Sequence, residues 1–133
     1  MRLVIDCNVL IAAGWNSGTC REVLFAAIRD HAPLMSRGIL DEYATVFAYS
    51  RFDHIRPALT LLRDALLKTA TLVRPVPSPF LLPDPKDMIY LETALAGDAE
   101  AIITGNARHF PEPAYGFVRI LTPRDFLDIN TTS

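Results

Sequence analysis

The chain has 133 residues, about the size of one domain, and half of them (50%) are hydrophobic, too many for a disordered polymer. Thirteen Lys+Arg against 15 Asp+Glu give a formal charge of −2. That excludes a strongly basic nucleic-acid coat protein but not a nucleic-acid enzyme, because bound metal ions invert the sign of an acidic cleft. Leu3-Val4-Ile5 is a short apolar run ending at Asp6, the pattern of a strand buried on both faces. Asn8 to Ala13 reads as a helix broken by Gly14, and Trp15-Asn16-Ser17-Gly18 as a loop. Thr19 is placed to cap a helix to about Arg29, with Val23, Ala26 and Ala27 on one face. Pro33-Leu34-Met35 suits a second strand, and Ser36 the N-cap of a helix to about Ala48.

A third helix, from about Arg56 to Lys68, repeats Leu59, Leu62 and Leu66 at helical spacing. Thr71-Leu72-Val73 is strand-like. Pro75, Pro77, Pro79, Pro83 and Pro85 then stiffen an irregular connection, which is no domain linker because neither side is large enough to fold alone. A helix from Pro85 to about Ala96 and buried-type strands at Ala101–Thr104 and Val118–Leu121 follow. Thr122-Pro123 opens a short helix through Leu127, and the last residues are expected to fray. Alternating strands and helices predict an α/β three-layer sandwich, a mostly parallel sheet flanked by helices, as one domain over residues 1–128 with a tail at 129–133. The cysteines, Cys7 and Cys20, form no CxxC or Cys/His cluster, which argues against structural zinc and for free thiols in a reducing cytosol. Cys7 reads as a small buried apolar residue. The apolar runs fall far short of the ~18 residues that cross a bilayer, and Asp6 interrupts the first run too early for a signal peptide. The expectation is a cytoplasmic protein without membrane contact.

Ligands of parallel sheets bind outside the carboxyl ends of the strands. Asp6 follows the first strand and Thr104-Gly105-Asn106 the fourth, so neighbouring strands would bring Asp6 and Asn106 to one ligand; the plain alternative for Asp6 is a turn former or helix cap. Within helix 36–48, Asp41 pairs with Arg37 on the wet face, while Glu42 lies on or beside the apolar stripe, where it either snorkels to solvent or serves a site. Asp84 before Pro85 is fully explained as an N-cap. Asp87 shares a face with Tyr90, Leu91 and Ala94 and is read as functional. Asp6, Glu42 and Asp87 would repel one another without a cation between them, and hard oxygen ligands suit Mg²⁺ or Mn²⁺. A carboxylate-held divalent pair cleaves phosphodiesters.

These stretches, Leu3-Val4-Ile5-Asp6-Cys7-Asn8-Val9-Leu10, Leu40-Asp41-Glu42-Tyr43, Asp84-Pro85-Lys86-Asp87 and Ile103-Thr104-Gly105-Asn106-Ala107-Arg108-His109-Phe110-Pro111, resemble the PIN-domain family, in particular its VapC-like toxins, in order and spacing over residues 1–128. The resemblance implies a Mg²⁺- or Mn²⁺-dependent endoribonuclease with metal-ligating acids at Asp6, Glu42 and Asp87, Asn106 positioning water or phosphate, and Asn8, Thr104 and Asp84 in support. It also implies an RNA substrate, a cognate antitoxin that inhibits the enzyme at the acidic cleft, and a homodimer. The chain departs from the family at the fourth motif, where His109 stands at the position of a further acid; this puts a second metal site in doubt. His109 itself reads as a loop histidine before Phe110-Pro111 rather than a general base. Arg37, Arg51 and Arg108 are candidate phosphate contacts or plain surface charges, and Trp15 is suited either to stack a base or to fill an interface.

Two rivals stand beside this reading. One is a phosphoryl-transfer enzyme with Asp6 as phosphate acceptor. Against it, Asn8 occupies the place where haloacid-dehalogenase-like phosphatases put an acid, and neither Lys68 nor Lys86 suits a receiver domain. The other, prompted by the altered fourth motif, is a PIN fold that binds RNA or a partner without cutting.

Overall fold

The computed structural model describes the backbone of residues 1–132 and the side chains of residues 1–130. Strand β1 (Arg2–Ile5) lies in the interior, as its apolar run requires: Leu3, Val4 and Ile5 are all buried. It pairs in parallel with β2 (Ala32–Met35) on one side and β4 (Ala101–Ile103) on the other, in the registers Leu3↔Pro33 and Ile5↔Ile103. The full order is β3-β2-β1-β4-β6-β5, with β3 at Thr71–Leu72, β5 at Ala114–Tyr115 and β6 at Val118–Leu121; every pair is parallel except β5 with β6. This is the expected α/β architecture, with the sheet flanked by helices α1 (Cys7–Trp15), α2 (Thr19–Asp30), α3 (Arg37–Phe47), α4 (Arg56–Thr69), α5 (Met88–Ala96) and α6 (Pro123–Thr132). Among the described residues no helix is long and apolar enough to cross a membrane.

Most boundaries fall where local chemistry puts them. Ser36 Oγ accepts the Ile39 amide at 3.3 Å, capping α3, and also receives the buried Thr93 hydroxyl at 2.8 Å, which ties α3 to α5. Val23, Ala26 and Ala27 of α2 are buried together, as are Leu59 and Leu66 of α4. Thr122 and Asp125 exchange amide-to-side-chain bonds of 3.1 and 3.0 Å, a capping box that opens α6.

Several boundaries differ from the sequence expectation. Gly14 does not break α1, which continues to Trp15; its missing side chain is needed instead for packing, since a Cβ there would sit 2.5 Å from Cδ2 of Leu59. Because Leu59 is fully buried and cannot give way, Gly14→Ala is expected to lower stability by about 1–2 kcal/mol despite its better helix propensity, measurable as a lower urea midpoint. Gly18, not Thr19, occupies the N-cap of α2, after Asn16 Oδ1 accepts the Gly18 amide at 2.9 Å in a side-chain turn. The segment expected as one helix from Pro85 opens with a tight 3₁₀ turn, Pro85–Asp87, before α5. A second 3₁₀ turn, Ser50–Phe52, and the two-residue β5 are too short to show a period in sequence. Helix α6 runs past Leu127 to Thr132, where His31 Nε2 and Asn130 Oδ1 lie 2.8 Å apart and the His31 ring packs edge-on to Phe126; Ser133 lies outside the described residues.

Candidate metal centre

The pairing of β1 with β4 places their carboxyl ends side by side, and the Asp6 amide continues the ladder to Ile103 O at 2.9 Å. Asp6 stands at the N-cap position of α1, yet its carboxylate caps no helix amide. Three side chains hold its Oδ2 instead: Thr104 Oγ1 at 2.9 Å, His109 Nδ1 at 3.2 Å and Asn8 Nδ2 at 3.3 Å. The helix-cap alternative is therefore set aside. Asn8 also accepts the Gly105 amide on Oδ1 at 2.9 Å, so one side chain brackets both turns. Asp6 is 3% exposed, and an acid that deep is tolerable only with such donors.

Asp87, at the end of the 3₁₀ turn, is 7% exposed, and its Oδ2 is buried with no hydrogen-bond partner. His109 Nδ1 lies 4.0 Å away and is aimed at Asp6. Burial raises the Asp87 carboxyl to about 6; Asp6, Asp84 and Glu42 add to the rise, and His109 opposes it. Glu42, half-buried on α3, completes the arc. It does not snorkel away: Asp6, Glu42 and Asp87 line one cavity of about 220 Å³ together with Asn8, Arg51 and His109, over an apolar floor that includes Ile11, Val46 and Phe52. Among the described residues, no three His, Cys, Asp or Glu side chains are drawn together closely enough to enclose an ion; the acids line the wall. The donor set nonetheless fits a hard divalent cation, on the unpartnered buried oxygen of Asp87, whose carboxyl is raised by burial first and by the neighbouring acids second.

The supporting residues divide. Thr104 and Asn8 hold Asp6 directly. Asp84 is exposed, its Oδ1 accepts the Lys86 amide at 2.9 Å, and it acts as the cap of the 3₁₀ turn outside the cavity lining. Asn106 reaches the centre through His109, its Nδ2 lying 3.2 Å from the ring Nε2. His109 is thus not a bystander of its loop: the chain turns after Asn106 and brings the imidazole back over Asp6. Of the three arginines, only Arg51 lines the cavity, its guanidinium stacked over Phe52 at 4.9 Å and Tyr49 at 5.3 Å. Arg37 pairs with exposed Asp41 at 3.6 Å and borders a separate groove with Arg74, while Arg108 is exposed beside the Asn106 turn. Trp15 packs edge-on against His54 and Phe52 and stays about half exposed (49%).

Two tyrosines complete the frame and escaped sequence reasoning. The buried Tyr43 hydroxyl donates to Ile5 O at 2.5 Å, and the Cys7 amide donates to the Tyr90 hydroxyl at 3.2 Å. They grip the backbone on either side of Asp6. Burial pushes both hydroxyls well above their ordinary range, so they stay protonated. Burial likewise raises the Cys7 thiol, with Asp6 and Glu42 adding to it, which makes it a packing residue and a poor nucleophile. The signal was present, since Tyr43 follows Glu42 directly and Tyr90 lies one helical turn beyond Asp87, and a buried tyrosine needs a polar partner.

Residues 2–108 match the family of PIN domains. The fold is similar to a chain in the crystal structure of VapBC2 from Rickettsia felis bound to a DNA fragment from their promoter, with a TM-score of 0.61 and 12% identity over 92% of this chain and 98% of that one. At that identity the likeness concerns the fold alone. No curated protein sequence matches the chain.

Proposed function

The chain belongs to the PIN-domain family, and on that premise we propose that it is a Mg²⁺- or Mn²⁺-dependent endoribonuclease. The observation that carries the proposal is the arc of Asp6, Glu42 and Asp87 around one cavity, with a buried Asp87 oxygen that no protein group satisfies. Asp6, Glu42 and Asp87 would hold the cation. A divalent ion there supplies Lewis acidity toward water and toward the phosphodiester. The protein's own part is to keep Asp6 fixed through Thr104, Asn8 and His109, to keep the floor apolar, and to meet the RNA backbone with Arg51 at the rim. Arg108, beside the Asn106 turn, is the second phosphate contact we assign; Arg37 is left out because it faces another groove.

The VapBC2 likeness supports a further step, that the protein is the VapC-like toxin of a toxin–antitoxin pair; with it we propose a cytoplasmic, dimeric single domain over residues 1–128, inhibited by an antitoxin that covers the acidic cavity. One observation favours the non-cutting alternative, a module that binds RNA or a partner: the imidazole of His109 already answers Asp6 from within the protein. The test is cleavage of a mixed RNA pool with Mn²⁺, with Mg²⁺ and with EDTA, by folded protein free of any antitoxin. Metal-dependent cutting that Asp6→Asn loses is the expected result. Full cleavage by Asp6→Asn would remove the site, and no cutting by wild type with either metal would leave the binding module.

A further inference from the structure

The donors around Asp6 carry an inference about how many cations this centre takes. Arg108 gives its amide proton to Asn106 Oδ1 at 3.0 Å, which turns Asn106 Nδ2 toward His109 Nε2 at 3.2 Å. Nε2 therefore accepts, the ring proton sits on Nδ1, and Nδ1–H donates to Asp6 Oδ2. In this tautomer neither ring nitrogen offers a lone pair to a metal. Asp6 Oδ2 meanwhile takes three donors, from His109, Thr104 and Asn8, and has no lone-pair direction left for an ion. Two-ion phosphoryl-transfer centres hold their ions about 3.5–4 Å apart, a spacing that calls for an acid shared between them. Asp6, the most buried acid of the arc, has one oxygen already committed to the protein. Asp87 is the opposite case, with an oxygen committed to nothing.

We infer that the centre binds one divalent cation per chain, and that His109 is a positioning residue that consumes the oxygen of Asp6 a second ion would need. The inference rests on the metal-centre reading above. It predicts that His109→Asp, which removes a donor from Asp6 and adds a carboxylate at the same place, creates a second site.

The experiment is Mn²⁺ titration of the full chain, followed by calorimetry and by electron paramagnetic resonance at saturation, counting only ions lost in Asp87→Asn so that surface binding drops out. Wild type is expected to bind one Mn²⁺ with the six-line spectrum of an isolated ion. His109→Asp is expected to bind two, with the spectrum broadened by coupling between them. Two coupled ions in wild type would overturn the inference and leave the metal centre standing. A single ion in folded His109→Asp would overturn the role given to the imidazole. If His109→Asp does not fold, the wild-type count decides alone. No Asp87-dependent Mn²⁺ in wild type would remove the metal centre, and this inference with it.

Discussion

Asp87→Asn is expected to lower RNA cleavage roughly 1,000-fold, about 4 kcal/mol of transition-state stabilisation, and at the same time to raise the melting temperature of the metal-free protein at neutral pH. Both effects have one origin. The Asp87 carboxyl is buried beside Asp6, Asp84 and Glu42 and is raised to about 6, and its Oδ2 has no partner. An acid whose pKa is higher folded than unfolded binds its proton more tightly in the native state. Its favourable contribution is complete below the unfolded value and is lost as the pH rises through about 6. Asn removes the charge and keeps the shape. With allowance for solvent screening at the cavity mouth, the gain is about 1 kcal/mol, or roughly 3–5 °C. Thermal melts in EDTA at pH 4 and pH 7.5 check it: the variant should exceed wild type only at the higher pH. A variant less stable than wild type at pH 7.5 would mean that Asp87 is already satisfied in the metal-free protein.

Tyr43→Phe is expected to cost about 1–3 kcal/mol of stability and to reduce cleavage by roughly 10–100-fold, the usual range for groups that hold metal ligands in place. Phenylalanine fills the same buried space and stacks on Phe47 as the tyrosine does, so no cavity opens. What disappears is the proton given to Ile5 O, at the point where β1 hands the chain to Asp6. Chemical denaturation gives the stability cost. Manganese affinity separates it from the positional effect, because a merely less stable protein binds the ion unchanged at temperatures where it is folded.

The sheet was legible because parallel strands buried on both faces write themselves as apolar runs, Leu3–Ile5 and Ala101–Ile103 among them. The acids were legible as exceptions to that pattern: Asp6 at the end of a run, Glu42 and Asp87 on the inward sides of their helical segments. Gly14 misled because a glycine in a helix looks the same in sequence whether it ends the helix or admits a neighbour, and only the position of Leu59 tells them apart. His109 misled for a related reason. Nothing local distinguishes a loop histidine from one carried back over the site; its partner is Asp6, 103 positions away. Tyr90 was read on the inward face of its helix, where it lies, and Tyr43 only as part of a motif; their hydroxyls act on backbone atoms that no side-chain pattern encodes.

Thr104 lies 98 positions after the carboxylate it serves, and β1 pairs with a strand that begins at Ala101. A ribosome delivers Asp6 early and these partners late. Until β4 docks beside β1, Asp6 lacks the Ile103 carbonyl that its amide pairs with and two of its three donors, Thr104 and His109. A nascent chain therefore carries the acids without the centre. If those acids cut RNA, the messenger being read and the ribosome reading it are exposed, for most of synthesis, only to a polypeptide that cannot yet harm them.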